Sequence, residues 1–498
     1  MKIYNTENLD IGSMNTDELL WIYNAHDVLL PMEIFPKVHK RMNANQKRIY
    51  KFEKALQSPA IQMMFTGIKV DHILLAIETK RVEKEIEDLG MLCDELITEI
   101  WDTPLNVKSP KQLQELFYVP YTGFRFPPKY TGSGPNRKIT TNRKALEALA
   151  AEHYICRPVV RAILAYKDAS KSLEFLRRGV ESDGRVHCTF NVAATETGRW
   201  SSSKNPWGRG ANFQNQDEKT RSIYIADENA CFGYPDLSSA ESRAVAYYSG
   251  DQAYINAVES SDLHTTVAKL LWPELDWPED NGIEDRSYAE EPFYRHFTRR
   301  DISKRGGHAY NYLGTPWTVA THLNVSQHVA EEFQERYFGA FPGIRTWHAT
   351  VQQLLQDTGI LTTPLGRERM FFGRLSDRET LKEAIAFLPQ SLISDILKLG
   401  FLRVFNKFSS DVTLLGDLHD GVVMSIPTKT LDILVPQIKD LLEIPIKMPY
   451  GTMTIPVDFT VGYRWQKKEM AKWTKNILSI LTRPDTVDNL LDIPAELV

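Results

Sequence analysis

Residues 412–427 read VTLLGDLHDGVVMSIP, two apolar runs that meet at an Asp-Gly step. Asp420-Gly421 between such runs is the strongest short-range signal for a β-hairpin, so two antiparallel strands are expected to pair here. The runs are apolar enough for a buried sheet, which puts Asp420 at its tip, where an unpaired carboxylate is costly. An exposed Asp-Gly turn explains the bend but gives no reason for the neighbouring His419 and Asp417.

A second carboxylate sits in a similar setting. In CFGYPDLSSAESR, Cys231 to Arg243, a short apolar run leads to Asp236, and a small-residue turn then opens a helical segment carrying Glu241 and Arg243. Read alone, Asp236 is equally an ordinary helix N-cap. If the strand ending at Asp236 pairs beside the hairpin, two carboxylates meet at one edge. Their repulsion then requires divalent cations, and oxygen ligands favour magnesium or manganese.

The third piece is TRRDISKRGGHAYNYLG, residues 298–314. Arg300, Lys304, His308 and Tyr312 recur every four residues and share a slowly drifting helical face, cationic at one end and aromatic at the other. Arg and Lys suit a triphosphate, and His308 and Tyr312 offer planes to a base and sugar. A basic solvated helix gives the same pattern, but Gly306-Gly307 inside it costs about 1 kcal/mol per residue in helix propensity.

Around these pieces the texture changes along the chain. Up to about Arg178 the pattern is helical: DELLWIYNAHD at 17–27 with Tyr23 and Asp27 one turn apart, a long amphipathic helix after Asp71, and a helix opened by Ser109-Pro110. Regular β structure is expected from Asp183-Gly184 onward, followed by a helical stretch over 262–339, a strand pair in TGILTTPLGRERMFF, and a long buried helix ahead of the hairpin. The loop 129–144 carries Lys129, Arg137, Lys138, Arg143 and Lys144 with no acid, which suits a phosphate backbone or a merely solvated surface. A length of 498 residues suggests roughly two to four domains, and 42% apolar with 25% charged residues is a globular composition. No apolar run approaches the roughly 20 residues of a membrane span, so an intracellular, soluble, cytoplasmic protein is expected. Cys93, Cys156, Cys188 and Cys231 form no CxxC pair and are expected to be buried free thiols. The net charge of −5 puts any nucleic-acid reading on local clusters and acidic metal sites.

In order and spacing these segments resemble family A DNA polymerases, the DNA polymerase I type, and most closely their bacteriophage members. DLSSAESR resembles the first carboxylate motif, RRDISKRGGHAYNY the helix motif of the fingers, and LHDGV the second carboxylate motif. TETGRWSSS with ANFQNQ, SDLHTT, FPGIRTW, TPLGRERMF, QSLISDI, VGYRW, GIKVD and NVKSPKQL fall in family order, over about residues 50–470.

The resemblance implies an α+β right-hand fold, with an antiparallel β palm, helical fingers and a helical thumb. Residues 1–50 would be a remnant of an exonuclease domain, 51–180 the thumb, 181–255 the first part of the palm, 256–345 the fingers, 346–470 the rest of the palm, and 471–498 a tail. It implies template-directed DNA synthesis with two magnesium ions, or manganese in their place, on Asp236 and Asp420. Lys304, helped by Arg300 and His264, would bind the dNTP triphosphate, and Lys304 could protonate the leaving group. Glu241 would meet a ribose 2′-hydroxyl, His308 and Tyr312 would pack on the sugar and template-base position, and Arg199, Asn212, Gln214, Gln390 and His419 would contact the primer–template. Arg243 is expected to make a structural ion pair.

Departures from the family pattern are expected to matter. Gly421 stands where a second acid is common, Leu313 where glycine usually follows the motif tyrosine, and Lys382 and Ala386 where Arg and Asn are usual. Tyr23 and Asp27 resemble the last motif of the proofreading domain, with fewer than about thirty residues before them. Proofreading is therefore expected from a separate exonuclease chain docking on residues 1–50, and a processivity partner and host cytoplasm are expected for a phage-type enzyme. Two other readings stand beside this one: a catalytically weakened primer–template binder, favoured by Gly421, and a single-chain RNA polymerase, opposed by Glu241.

Overall fold

The computed structural model describes residues 11–101, 105–119, 123–132, 137–177, 180–205, 208, 210, 212–278, 283–294, 297–323, 325–418 and 421–483. Its centre is a five-stranded sheet built from β1 (Ala230–Leu237), β2 (Thr413–Leu418), β3 (Gly421–Pro427), β4 (Val457–Gly462) and β5 (Ala471–Lys472), in the spatial order β2-β3-β1-β4-β5. Every neighbouring pair is antiparallel. Both β1 and β3 are apolar along most of their length because both faces are covered, so they bury almost every residue rather than alternating.

The hairpin exists, one residue away from where the Asp-Gly signal puts it. Leu418 pairs with Gly421, so only His419 and Asp420 lie between the strands, and those two are outside the described residues. Gly421 is a strand residue without the left-handed φ of a hairpin turn. Its lack of a side chain answers a steric need instead: a Cβ there would lie 2.7 Å from the Pro235 carbonyl oxygen and 2.7 Å from the Tyr234 ring.

Helices surround the sheet, of which eight position the site: α1 (Thr16–Arg41), α2 (Ala44–Ala55), α3 (His72–Thr98), α4 (Arg157–Leu176), α5 (Ala240–Ser249), α6 (Arg299–Asn311), α7 (Gln327–Ala340) and α8 (Arg378–Phe408). Asp71 caps α3 through the Leu74 N–H, and Ser109 caps the helix that starts at Pro110, as their sequences signal. α3 and α4 pack along one another beside a separate small core that includes Cys93, Leu113, Phe117, Leu146 and Ile163. The four cysteines are buried free thiols. GIKVD contributes the two-residue strand Ile68–Lys69, antiparallel to Arg185–Val186.

α8 passes the length and apolarity test for a membrane span, contrary to the expectation that no stretch would. The apolar window is 78% buried inside the molecule, so it is a core helix. The loop 129–144 is less free than its composition suggests. Lys129 pairs with Glu152, and Arg143 with Glu147 of its own helix and with Asp168 of α4.

One buried ion network joins the first helices to the rest. Arg367 donates from Nε to both carboxylate oxygens of Asp395 at 3.0 Å and from Nη2 to Asp395 at 2.7 Å, and it also pairs with Glu53 of α2. Burial alone would lower the guanidinium pKa, but Asp395 and then Glu53 outweigh it and raise the value. Removing one partner of such a network leaves an uncompensated buried charge. Arg367→Met is therefore expected to cost about 3–5 kcal/mol in urea unfolding, with Arg367→Lys recovering only part because an ammonium cannot reproduce the planar fork.

Candidate active site

β1 delivers Asp236 to the sheet's edge, and the chain then turns sharply through Ser239 at φ +51° before α5 begins. Ser239 occupies the cap position of α5 and makes no side-chain capping bond. Asp236 lies within β1, three residues earlier, so the N-cap reading of Asp236 is overturned. Its register partners are Gly421 of β3 on one side and Asp458 of β4 on the other. The strand ending at Asp236 thus does pair beside the hairpin, which was the condition for two carboxylates to share an edge.

Facing this edge is α6, whose start is fixed by a capping box between Thr298 and Asp301. Gly306 and Gly307 are explained by packing: a Cβ on Gly306 would run into Phe333, and one on Gly307 would lie 3.1 Å from the Tyr337 ring, both of α7. The glycines let α6 lie tightly on α7 with its cationic face turned outward. A cleft of about 470 Å³ separates the two elements and is lined by Asp236, Ser239, Glu241, His264, Lys304, Arg305 and His308.

The charges in the cleft are organised before any ligand enters. Arg300 holds Asp262 in a two-point contact at 3.0 and 3.2 Å. Burial would raise the Asp262 carboxyl pKa, but the Arg300 and Thr265 bonds overcome this and lower it. Burial, Arg300 and then Lys304 push the His264 imidazole down to about 4. At neutral pH His264 is uncharged, while Lys304 is exposed.

Glu241 is a hub. Its Oε1 accepts from Arg199 at 2.6 Å, its Oε2 accepts from the Tyr312 hydroxyl at 2.7 Å, and His308 Nδ1 lies 3.9 Å from Oε2. Burial and then Glu241 raise the Tyr312 pKa well above its ordinary value, so its hydroxyl stays a donor. The residue after it, Leu313, has φ +55°, a left-handed conformation in which glycine carries no steric cost and leucine does. Arg243 is buried against Glu259 at 2.8 Å, the structural ion pair expected of it.

The other described residues singled out from the sequence do not line this cleft. Asn212 accepts from Ser202 at 2.9 Å. Gln214 is 7% exposed and donates to Asp417 at 3.0 Å, so its amide is committed to the interior. Gln390 is half-buried in α8, and His419 and Asp420 fall outside the described residues. Tyr23 and Asp27 lie on α1, which buries none of its residues. Sequence reasoning missed Asp262 and Arg305. Asp262 stood next to a helix start and could have been read as its cap, which it is.

Carboxylate oxygens at a strand edge are the donor type that hard divalent cations take. Among the described residues no three His, Cys, Asp or Glu side chains form a ligand group. Asp236 and the Gly421 register position nevertheless put one acid beside the segment that carries the second.

Comparison with known proteins places this geometry. The description of DNA polymerase family A matches residues 76–467. DNA polymerase I of Helicobacter pylori (strain ATCC 700392 / 26695) is 26% identical over 447 residues, covering 85% of this chain and 45% of that protein. The thermostable DNA polymerase I of Thermus filiformis is 26% identical over 462 residues, covering 89% of this chain and 51% of that protein. The chain spans about half the length of the curated relatives it matches. Among solved structures, the POL domain of Pol1 from M. smegmatis, in complex with DNA primer-template and dNTP, superposes with a TM-score of 0.67 at 23% identity, over 83% of this chain and 70% of that one. The fold is that α+β polymerase-domain fold, organised on an antiparallel sheet.

The depressed His264 pKa sets a testable pH window. The folded value of about 4 lies below the ordinary 6.5, so the unfolded chain binds the extra proton between them. The associated stability is complete above pH 6.5 and is lost as pH falls toward 4. An NMR titration of His264 is expected to show a midpoint near 4, moving up in Arg300→Ala because one of the depressing charges is gone.

Proposed function

Because the chain belongs to DNA polymerase family A, we propose that it is a template-directed DNA polymerase adding dNTPs to a primer 3′-hydroxyl. The observation that carries this reading is the cleft in which Asp236 at a strand edge faces Lys304 and His264 from a helical segment across it. Residues 51–180 serve as thumb, 181–255 and 346–470 as palm, and 256–345 as fingers. Asp236 and Asp420 would hold magnesium or manganese, which would supply stabilisation of the negative charge that develops in phosphoryl transfer. The protein's own groups do the rest. Lys304 and neutral His264 hold the triphosphate, Lys304 has a proton to give the leaving pyrophosphate, and Arg300 shares its guanidinium between Asp262 and the phosphates. Glu241, fixed by Arg199 and Tyr312, stands as a rigid wall where a 2′-hydroxyl would enter. His308 and Tyr312 pack on sugar and template base, and Arg199, Asn212, Gln390 and His419 hold the primer end, with Gln214 supporting from below.

The resemblance of the motifs to bacteriophage members supports replication as the setting. A separate exonuclease chain is proposed to dock on α1, on which Trp21, Tyr23, Val28, Met32 and Ile34 are all at least half exposed. Such a run of apolar side chains on one uncovered helix is characteristic of an interaction surface. Degradation of a mismatched primer by the purified chain alone, lost in Asp27→Ala, is the result that would refute a separate exonuclease.

Primer extension tests the central reading. Asp236→Ala and Asp420→Ala are each expected to lower the extension rate by at least ~10²-fold while leaving the circular dichroism spectrum unchanged. Glu241→Ala is expected to relax the preference for dNTP over rNTP by about tenfold or more. Gly421 specifically favours one competing reading, a primer–template binder with weakened chemistry. Gel-shift binding without extension in either magnesium or manganese would establish that reading in place of ours.

A further inference from the structure

We propose that Arg305 binds the terminal phosphate of the incoming dNTP; the inference rests on the polymerase reading above. Arg305 follows Lys304 on α6 and lines the same cleft as Asp236, Glu241 and His264. Both cations are exposed. Among the described residues no ion pair engages either of them, whereas the other arginines around the cleft are committed, Arg300 to Asp262 and Arg199 to Glu241.

The Arg305 guanidinium is nonetheless held in place. Its central carbon lies over the Phe297 ring, 5.3 Å from the ring centre. Phe297 is buried, in the two-residue strand Phe297–Thr298 that leads into α6. Stacking on a ring occupies only the face of a guanidinium and leaves the N–H groups of its edge for another partner.

Polarity along α6 decides which part of a nucleotide meets Arg305. At the end of the helix the Tyr312 hydroxyl donates to Glu241, and His308 lies 3.9 Å from the same carboxylate, so this end receives the sugar. Lys304 and Arg305 lie nearer the start of the helix. A nucleotide laid along this face with its sugar at Glu241 carries its phosphates toward the two cations, the terminal one farthest from the sugar. Arg300 can serve that phosphate only by loosening its two-point contact with Asp262, and Arg305 has no such contact to give up. A planar guanidinium also takes two phosphate oxygens at once, which an ammonium does not.

An arginine that merely secured the start of α6 against Phe297 would show the same stack, so the test counts phosphates. The full chain is bound to a primer–template whose primer ends in a dideoxynucleotide, so no chemistry occurs. The complementary dNTP and the corresponding dNDP are then titrated in magnesium buffer, with filter binding of the labelled nucleotide as the readout. Arg305→Gln is expected to weaken dNTP binding by about tenfold and dNDP binding by less than about twofold, with primer–template affinity by fluorescence anisotropy unchanged. Equal losses for dNTP and dNDP would overturn the proposal, because structural damage does not distinguish the two ligands. So would dNTP affinity within about twofold of wild type, including the case in which only primer–template affinity falls and Arg305 is a DNA contact. If the wild-type complex binds complementary and non-complementary dNTP equally, the polymerase reading itself falls and takes this role of Arg305 with it, a result distinct from the others.

Discussion

The guanidinium of Arg367 sits where distant parts of the chain meet. It ties Glu53 of α2 to Asp395 in the middle of α8. The backbone at Gly198 lies directly on it, so closely that a Cβ would sit 2.7 Å from Arg367 Nε. One helical turn beyond Asp395, Lys398 donates to the Gly198 carbonyl and lies 5.4 Å from the centre of the Trp200 ring. The segment 198–200 is thus gripped from two sides, and Arg199 is left facing Glu241, which in turn holds Tyr312 at the end of α6. Charges taken this far out of water give little net stability, since desolvation offsets attraction. What they contribute is definition: Arg367, Asp395 and Glu53 fix one another's positions.

How much of this was legible in the chain depends on how local the cause was. The hairpin, the strand ending at Asp236 and the cationic face of α6 follow from short-range periodicity, and the structure has all three. The turn was misplaced by one residue because an Asp-Gly step was read for its backbone freedom, whereas Gly421 is needed for the approach of Tyr234. The glycine pair in α6 was recognised as anomalous without its cause, since the cause is Phe333 and Tyr337 on another helix. Arg367 and Glu53 lie 314 positions apart, and no pattern in a single sequence joins them. The loop 129–144 looked uncompensated because the acids follow just after it: Glu147 and Glu152, on the helix that begins at Arg143, pair with Arg143 and Lys129, and Asp168 pairs with Arg143 as well.

Electrostatic preparation of the cleft is as informative as its shape. Asp262 engages Arg300 ahead of any ligand, and burial, with Arg300 and Lys304 beside it, keeps His264 neutral. Among the described residues lining the cleft, Lys304 and Arg305 are both exposed, backed by groups already oriented and partly desolvated. Such a site needs little reorganisation when charge arrives, which is the condition under which fixed dipoles and charges stabilise it most effectively.

The packing at Gly421 limits which residues this position can accept. A side chain there meets the Pro235 carbonyl oxygen as well as the end of the Tyr234 ring, so trimming residue 234 alone does not open the position: the backbone of β1 must give way too.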